Sequence, residues 1–302
     1  MNKNLQQENM SASSSKKESG KFELSKSKKS TYIIAAVALV VLLLGIYFLF
    51  IFKKSQNDIQ VSDSSTGEIK QVSDVPLANR PYVTLTPTSD GAEIIMSIQN
   101  MGFFDNIEYE LTYQADNPQS PGTKIERGST GSDINTKDSS YKKSLLLGTA
   151  SRGVRSPDRG IVDGKLTMHL IKKGQEYLSE TNWDLSIVGA TDNVLKSRDG
   201  NVTIEVPNLG KDYWAILANT VGIPQGGKFE ISKVQLPVYG AFSIAGKFPS
   251  EATLTIKERA GNKLFAYNLQ DRSWKEISTT SEGNSLVAKV PSLATYVVVS
   301  PK

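Results

Sequence analysis

Residues Tyr32 to Phe52 read YIIAAVALVVLLLGIYFLFIF, with neither a charge nor a proline. Wound as an α-helix, this run is about 30 Å long, the thickness of a bilayer's hydrocarbon core. A helix on the surface of a soluble domain keeps one polar face, and this stretch has none. It is therefore expected to span a membrane. A cleaved signal peptide would have an apolar core of roughly 7–15 residues ending at a small-residue site. Here the run is longer and ends in aromatics followed by Lys53-Lys54-Ser55-Gln56-Asn57, so an uncleaved signal anchor is the reading. Lys16, Lys17, Lys21, Lys26, Lys28 and Lys29 precede it, against Lys53 and Lys54 just after it. The positive-inside rule then places the N-terminus in the cytoplasm and the C-terminal part outside the cell membrane.

Charge divides along the same line. The formal net charge is +4. Residues 1–31 hold seven lysines against Glu8, Glu18 and Glu23, so that tail carries the whole excess. Everything beyond the apolar run is balanced and offers no net electrostatic footprint for nucleic acid. There is no cysteine. Disulfides, thiolate nucleophiles and cysteine metal sites are excluded together, which favours a prokaryotic envelope over a eukaryotic surface.

Five segments follow. Residues 1–31, rich in Ser, Lys, Gln and Asn, read as a disordered cytoplasmic tail. Residues 32–52 are the transmembrane helix, and 53–79 a polar stalk. From residue 80 the pattern has period two. Ala92, Ile94, Met96 and Ile98 alternate with more polar positions, as do Ile107, Tyr109, Leu111 and Tyr113, then Leu166, Met168 and Leu170, and Val202, Ile204 and Val206. Such alternation marks antiparallel strands with one wet face. Asp90-Gly91, Asp163-Gly164 and Asp199-Gly200 are read as turns between them. The stretch at 211–220 fits a short helix or a strand. Short strands recur from Phe229-Glu230-Ile231 to Tyr296–Val299. The expected fold is mainly β: two antiparallel β-sandwich, Ig-like domains at 80–207 and 208–302 behind a transmembrane helix.

The stretch Leu145–Thr149, Gly153 and Gly160–Leu170 (GIVDGKLTMHL) resembles a pattern in uncharacterised single-pass surface proteins of candidate-phyla bacteria. The C-terminal pattern ATLTIKE, LFAYNLQDRSWKEI and SLVAKVPSLATYVVV is similar to β-sandwich modules that cap bacterial envelope proteins. The resemblance implies location and fold, and lends no activity.

The sequence holds few patterns that fit catalysis. His169 is the only histidine and alternates with Met168 and Leu170, which puts it on the wet face. No G-x-S-x-G elbow accompanies it. Glu108 and Glu110 share one strand face with Cα atoms about 7 Å apart. Paired carboxylates serve glycosidases, yet a solvated outer face has the same pattern. Trp183, Trp214 and Trp274 are read as core anchors. The most unusual stretch is 148–164, GTASRGVRSPDRGIVDG, a long connection with three arginines among glycines. Arg152, Arg155 and Arg159 are the candidate anion- or partner-binding residues, because guanidinium forks match carboxylate, sulfate and phosphate groups. Their alternative role is internal pairing with Asp158 and Asp163.

No cofactor and no catalytic residue is expected. The leading expectation is a non-enzymatic binding, adhesion or structural protein of the cell envelope, held in the lipid bilayer by Tyr32–Phe52 and meeting an envelope polymer or surface protein. A glycan-processing enzyme using surface carboxylates is the alternative. Another is an accessory subunit of a membrane complex, hinted at by Ala35, Ala36 and Ala38.

Overall fold

The computed structural model describes residues 68–207 and 213–301. The expected tail, transmembrane segment and most of the stalk lie outside the described residues. Among the described residues, no helix is long and apolar enough to cross a membrane.

The chain is mainly β and its sheets are antiparallel, with one short exception at its start. The first strands are β1 (Lys70–Gln71), β2 (Tyr82–Pro87), β3 (Glu93–Gln99), β4 (Asn106–Asp116), β5 (Lys124–Gly131) and β6 (Ser140–Leu146). There follow β7 (Gly148–Ser151), β8 (Val154–Pro157), β9 (Val162–Lys172), β10 (Gln175–Ile187), β11 (Val194–Lys196) and β12 (Val202–Glu205). The remainder are β13 (Trp214–Asn219), β14 (Tyr239–Phe242), β15 (Ala252–Ile256), β16 (Lys263–Asn268), β17 (Ser273–Ile277), β18 (Thr279–Glu282), β19 (Ser285–Val290) and β20 (Thr295–Val299).

A ten-stranded sheet runs through the unit in the order β17-β16-β20-β14-β13-β10-β9-β4-β5, with β1 added parallel to β10. A five-stranded sheet, β11-β12-β15-β19-β18, shares a core with one half of it. A three-stranded sheet, β2-β3-β6, shares a core with the other half. The alternation read from β3, β4 and β9 holds: Ile94, Met96, Ile98, Ile107, Met168 and Leu170 are all fully buried.

The join between the halves is β13 and β14. Ile216, Ala218 and Phe242 belong to the first core, whereas Ala215, Leu217, Tyr239 and Ala241 belong to the second. A strand with a core on each face has no wet side, so Trp214 to Ala218 of WAILAN are apolar without interruption and show no period. That is why 211–220 read ambiguously; its described part is the strand β13. Position 207/208, expected to separate two domains, lies between β12 and β13. Pairing runs across it, β12 with β15 and β13 with β10. The described residues belong to one compact unit.

Three local expectations are corrected. Asp163-Gly164 is not a turn but lies inside β9, where the register against β4 shifts between Thr112 and Gln114. Asp163 has φ 53° there, so the pair accommodates a bulge. Phe229–Ile231 is not a strand. It leads into a short 3-10 turn at Ile231–Lys233, in a segment that covers Phe265, Val297 and Val299. Of the three tryptophans expected as core anchors, Trp183 is fully buried and Trp274 packs, partly buried, against the cluster of Phe265, Val297 and Val299, whereas Trp214 is partly exposed.

The chain enters through β1. After it comes a 3-10 turn at Val72–Asp74, then buried Val75. The buried Arg80 donates from Nε to the Val75 carbonyl at 2.8 Å and from Nη2 to the Ser73 carbonyl at 3.0 Å. Further on, the buried Tyr82 hydroxyl meets Thr295 Oγ1 at 2.7 Å, joining the first long strand to the last.

Candidate functional site

The arginine-rich stretch is a β-hairpin rather than an open connection. β7 pairs with β8 in the register Gly148↔Pro157, Thr149↔Ser156, Ala150↔Arg155 and Ser151↔Val154. The two turn residues, Arg152 and Gly153, have φ 50° and 80°. Positive φ at both positions suits a two-residue hairpin turn, and glycine takes it without strain. Two-residue turns fix register, so the hairpin holds one shape.

Its base is moored on several sides. The Leu147 N–H donates to the Ala92 carbonyl at 2.8 Å, and the Asp158 N–H to the Leu147 carbonyl at 2.9 Å. The Asp116 N–H donates to the Arg159 carbonyl at 2.8 Å. The Asp158 carboxylate accepts from the Tyr113 hydroxyl at 2.9 Å and lies 3.6 Å from Arg127 Nε. Burial, then Asp158, pushes the Tyr113 hydroxyl well above its ordinary pKa. Asp158 is thus engaged by Tyr113 and Arg127, not by the hairpin's own arginines.

The three arginines divide into one tied and two free. Arg155 Nη1 stands 2.5 Å from Glu93 Oε1, and Glu93 also accepts from the Ser144 hydroxyl. The Ser144 and Arg155 hydrogen bonds hold the Glu93 carboxyl below its usual range. Arg152 at the tip and Arg159 beyond the base are exposed and have no ion-pair partner among the described residues. Val154, beside the tip, is 68% exposed. The arrangement is a short finger with one unspent guanidinium group at its tip, an apolar knuckle beside it and a second unspent guanidinium just past its base.

The other half of the site is a carboxylate face. Pairing of β4 with β9 sets Glu108 opposite His169 and Glu110 opposite Thr167. Pairing of β9 with β10 sets Glu180 opposite Thr167 and brings up Glu176. His169 Nδ1 lies 2.6 Å from Glu176 Oε1, while Lys165 pairs with Glu180 at 3.2 Å. Glu108 accepts from Asn106 Nδ2 at 3.0 Å. A shallow concavity of about 320 Å³ opens here, lined by Glu108, Glu110, Thr130, Ser132 and His169 among others. The sequence pattern puts His169 and the two glutamates on wet faces, but only the register of β4 against β9 brings them together. Glu176 went unnoticed because its role depends on the register of β9 against β10.

Another groove, about 540 Å³, lies between Lys228–Lys233 and the ends of β16, β17 and β20. Phe229, Phe265 and Val299 line its apolar part. Two of its lysines are already neutralised, Lys233 by Glu230 and Lys263 by Glu276. No protein-family profile, curated protein or solved structure matches this chain.

Proposed function

We propose that this chain is a non-enzymatic binding protein of the cell envelope, anchored in the cell membrane by Tyr32–Phe52, with its N-terminus cytoplasmic and its β unit outside. In this reading the two cores are those of two Ig-like β-sandwiches that share one long sheet. The hairpin β7–β8 is the recognition element for anionic groups on an envelope polymer or surface protein. One observation carries the reading: Arg152 at the tip of a moored hairpin and Arg159 just past its base are exposed with no ion-pair partner among the described residues. Guanidinium groups presented on a rigid support lose little freedom when they meet carboxylate, sulfate or phosphate.

The test uses the full chain and isolated anionic envelope material. Retention is expected to fall steeply as salt rises, because exposed charges are screened. The triple variant R152A/R155A/R159A is expected to lose retention with its melting temperature nearly unchanged. Retention of the variant equal to the parent's at every salt concentration would remove the hairpin from the binding surface. For topology, protease added outside permeabilised envelopes is expected to release the β unit and spare residues 1–31; release of the tail would reverse the orientation.

A further inference from the structure

Arg155 is the hairpin's third guanidinium, and a carboxylate of the same chain already holds it. We infer that Glu93 is an internal competitor for the anion site: an anionic group arriving at the hairpin displaces it and adds Arg155 to Arg152 and Arg159. The inference rests on the reading of the hairpin as an anion-recognising element and supplies that site's regulation.

The competitor is built into the scaffold. Glu93 opens β3, and its backbone is fixed on both sides. Its N–H donates to Thr88 Oγ1 at 3.0 Å, and its carbonyl accepts from the Thr88 N–H at 2.9 Å. The neighbouring Ala92 carbonyl receives the Leu147 N–H at the hairpin base. Carboxylate and hairpin are therefore held in one relation. Glu93 divides its oxygens, Oε1 to Arg155 Nη1 at 2.5 Å and Oε2 to the Ser144 hydroxyl. Those two bonds hold its carboxyl below the usual range, so it is ionised at neutral pH.

The pair is also weak enough to yield. Among the described contacts, Arg155 gives one of its five donors to Glu93. The two side chains are 53% and 24% exposed, so water screens the attraction. A sulfate or phosphate ester that takes two donors of the fork makes the stronger contact. Glu93 is not stranded by the exchange, since it keeps the Ser144 hydroxyl and its free oxygen meets water. Asp90 supplies an internal comparison. The Thr88 and Ala92 hydrogen bonds, and more weakly the charge of Arg155, hold its carboxyl below the usual range. Asp90 thus stands near Arg155, yet it bonds to Thr88 Oγ1 at 2.6 Å and to the Ala92 N–H at 3.1 Å.

The test titrates the full chain, in nonionic detergent micelles, with sucrose octasulfate, and with sucrose as the uncharged control. The apparent Kd is read from the Gly153 amide resonance at the hairpin tip. That residue is present in every variant, and the lysines of the tail do not enter its signal. E93Q is expected to bind about two- to fivefold more tightly than the parent, the range that releasing an exposed pair allows. In the R155A background the same substitution is expected to change nothing. D90N removes the same charge nearby without freeing a guanidinium, and is expected to gain less than E93Q. Equal affinity of E93Q and the parent overturns the inference, as does a gain that survives in the R155A background or is matched by D90N. A second measurement needs no variant of Glu93. Its carboxyl carbon resonance in the parent should move, on saturation with sucrose octasulfate, toward its position in probe-free R155A. A resonance that stays in place overturns the inference even where E93Q misfolds. A Gly153 signal that no amount of probe moves in the parent defeats the anion-binding reading and the inference together. A response in the parent without a gain in E93Q defeats the inference alone.

Discussion

Adjacent residues of β13 serve different cores, so two single substitutions test whether the unit folds as one. Ile216 is fully buried in the first core, and Leu217, 3% exposed, is buried in the second. Replacing either by alanine removes three buried carbons, about 2.4 kcal/mol of transfer free energy at about 0.8 kcal/mol each. The cavity left behind raises the cost to about 3–4 kcal/mol. With a urea slope of about 3 kcal/mol per M, each variant should unfold about 1 M earlier than the parent. The assay is urea denaturation followed in parallel by tryptophan fluorescence and far-ultraviolet circular dichroism. Both variants are expected to move one common transition, with the two signals coincident, because neither core keeps its sheet if β13 leaves. Two resolved transitions, with I216A moving only one and L217A only the other, would refute the reasoning and make the cores independent.

Other outcomes follow from particular contacts. Y82F should cost about 1–2 kcal/mol by leaving the buried Thr295 hydroxyl unmatched, and the double variant Y82F/T295V should recover part of it in a thermal melt. The Glu93 carboxyl has a lowered folded pKa, so its contribution is present above the unfolded value and is lost as pH falls through the folded one. A carbon-detected titration of Glu93 should therefore show a midpoint below the ordinary glutamate value of about 4.3, and R155A should move it upward. The arginine triple variant should lose under about 1 kcal/mol in denaturation, since Arg155 and its partner are exposed or half-exposed. A larger loss would mean that the hairpin serves stability first. Unfolding should be the same with and without reductant, as the chain has no cysteine.

Strands with one wet face could be read directly. β3, β4 and β9 each put every second side chain into the first core, and that alternation is a local property of the sequence. β5 could not be read so. Its KIERGSTG has no fully buried residue, being an edge strand held by pairing with β4. β7 and β8 are exposed on nearly every position, so no apolar period announces them. β13 fails for the opposite reason, with a core on each face. The arginines stood out by composition, but their division into one tied and two free depends on Glu93, a residue sixty-two positions away. The concavity needs the registers of β4, β5 and β9 together, and none of these is encoded within one strand. The turn signal after Val206 suggested a boundary, whereas β12 and β13 find partners on either side of it.

The entry of the chain also determines how the unit bears load. A pull applied through the residues preceding Glu68 reaches β1 first. There Lys70 and Gln71 lie parallel to Tyr177 and Leu178, and the Glu68 carbonyl accepts from Gln175 Nε2 at 2.8 Å. Bonds lying across the line of pull are strained together, but two residue pairs are few, and this patch yields before any long strand. The load then meets Arg80, whose guanidinium grips the Ser73 and Val75 carbonyls from inside the fold. Fully extended, Glu68 to Val72 span at most about 17 Å, so the length freed at this first step is smaller than that. The entry is therefore expected to yield in two stages, the β1 patch first and the Arg80 contacts next. A force-clamp trace should show that short step first, and R80A should merge it with the unfolding of the unit.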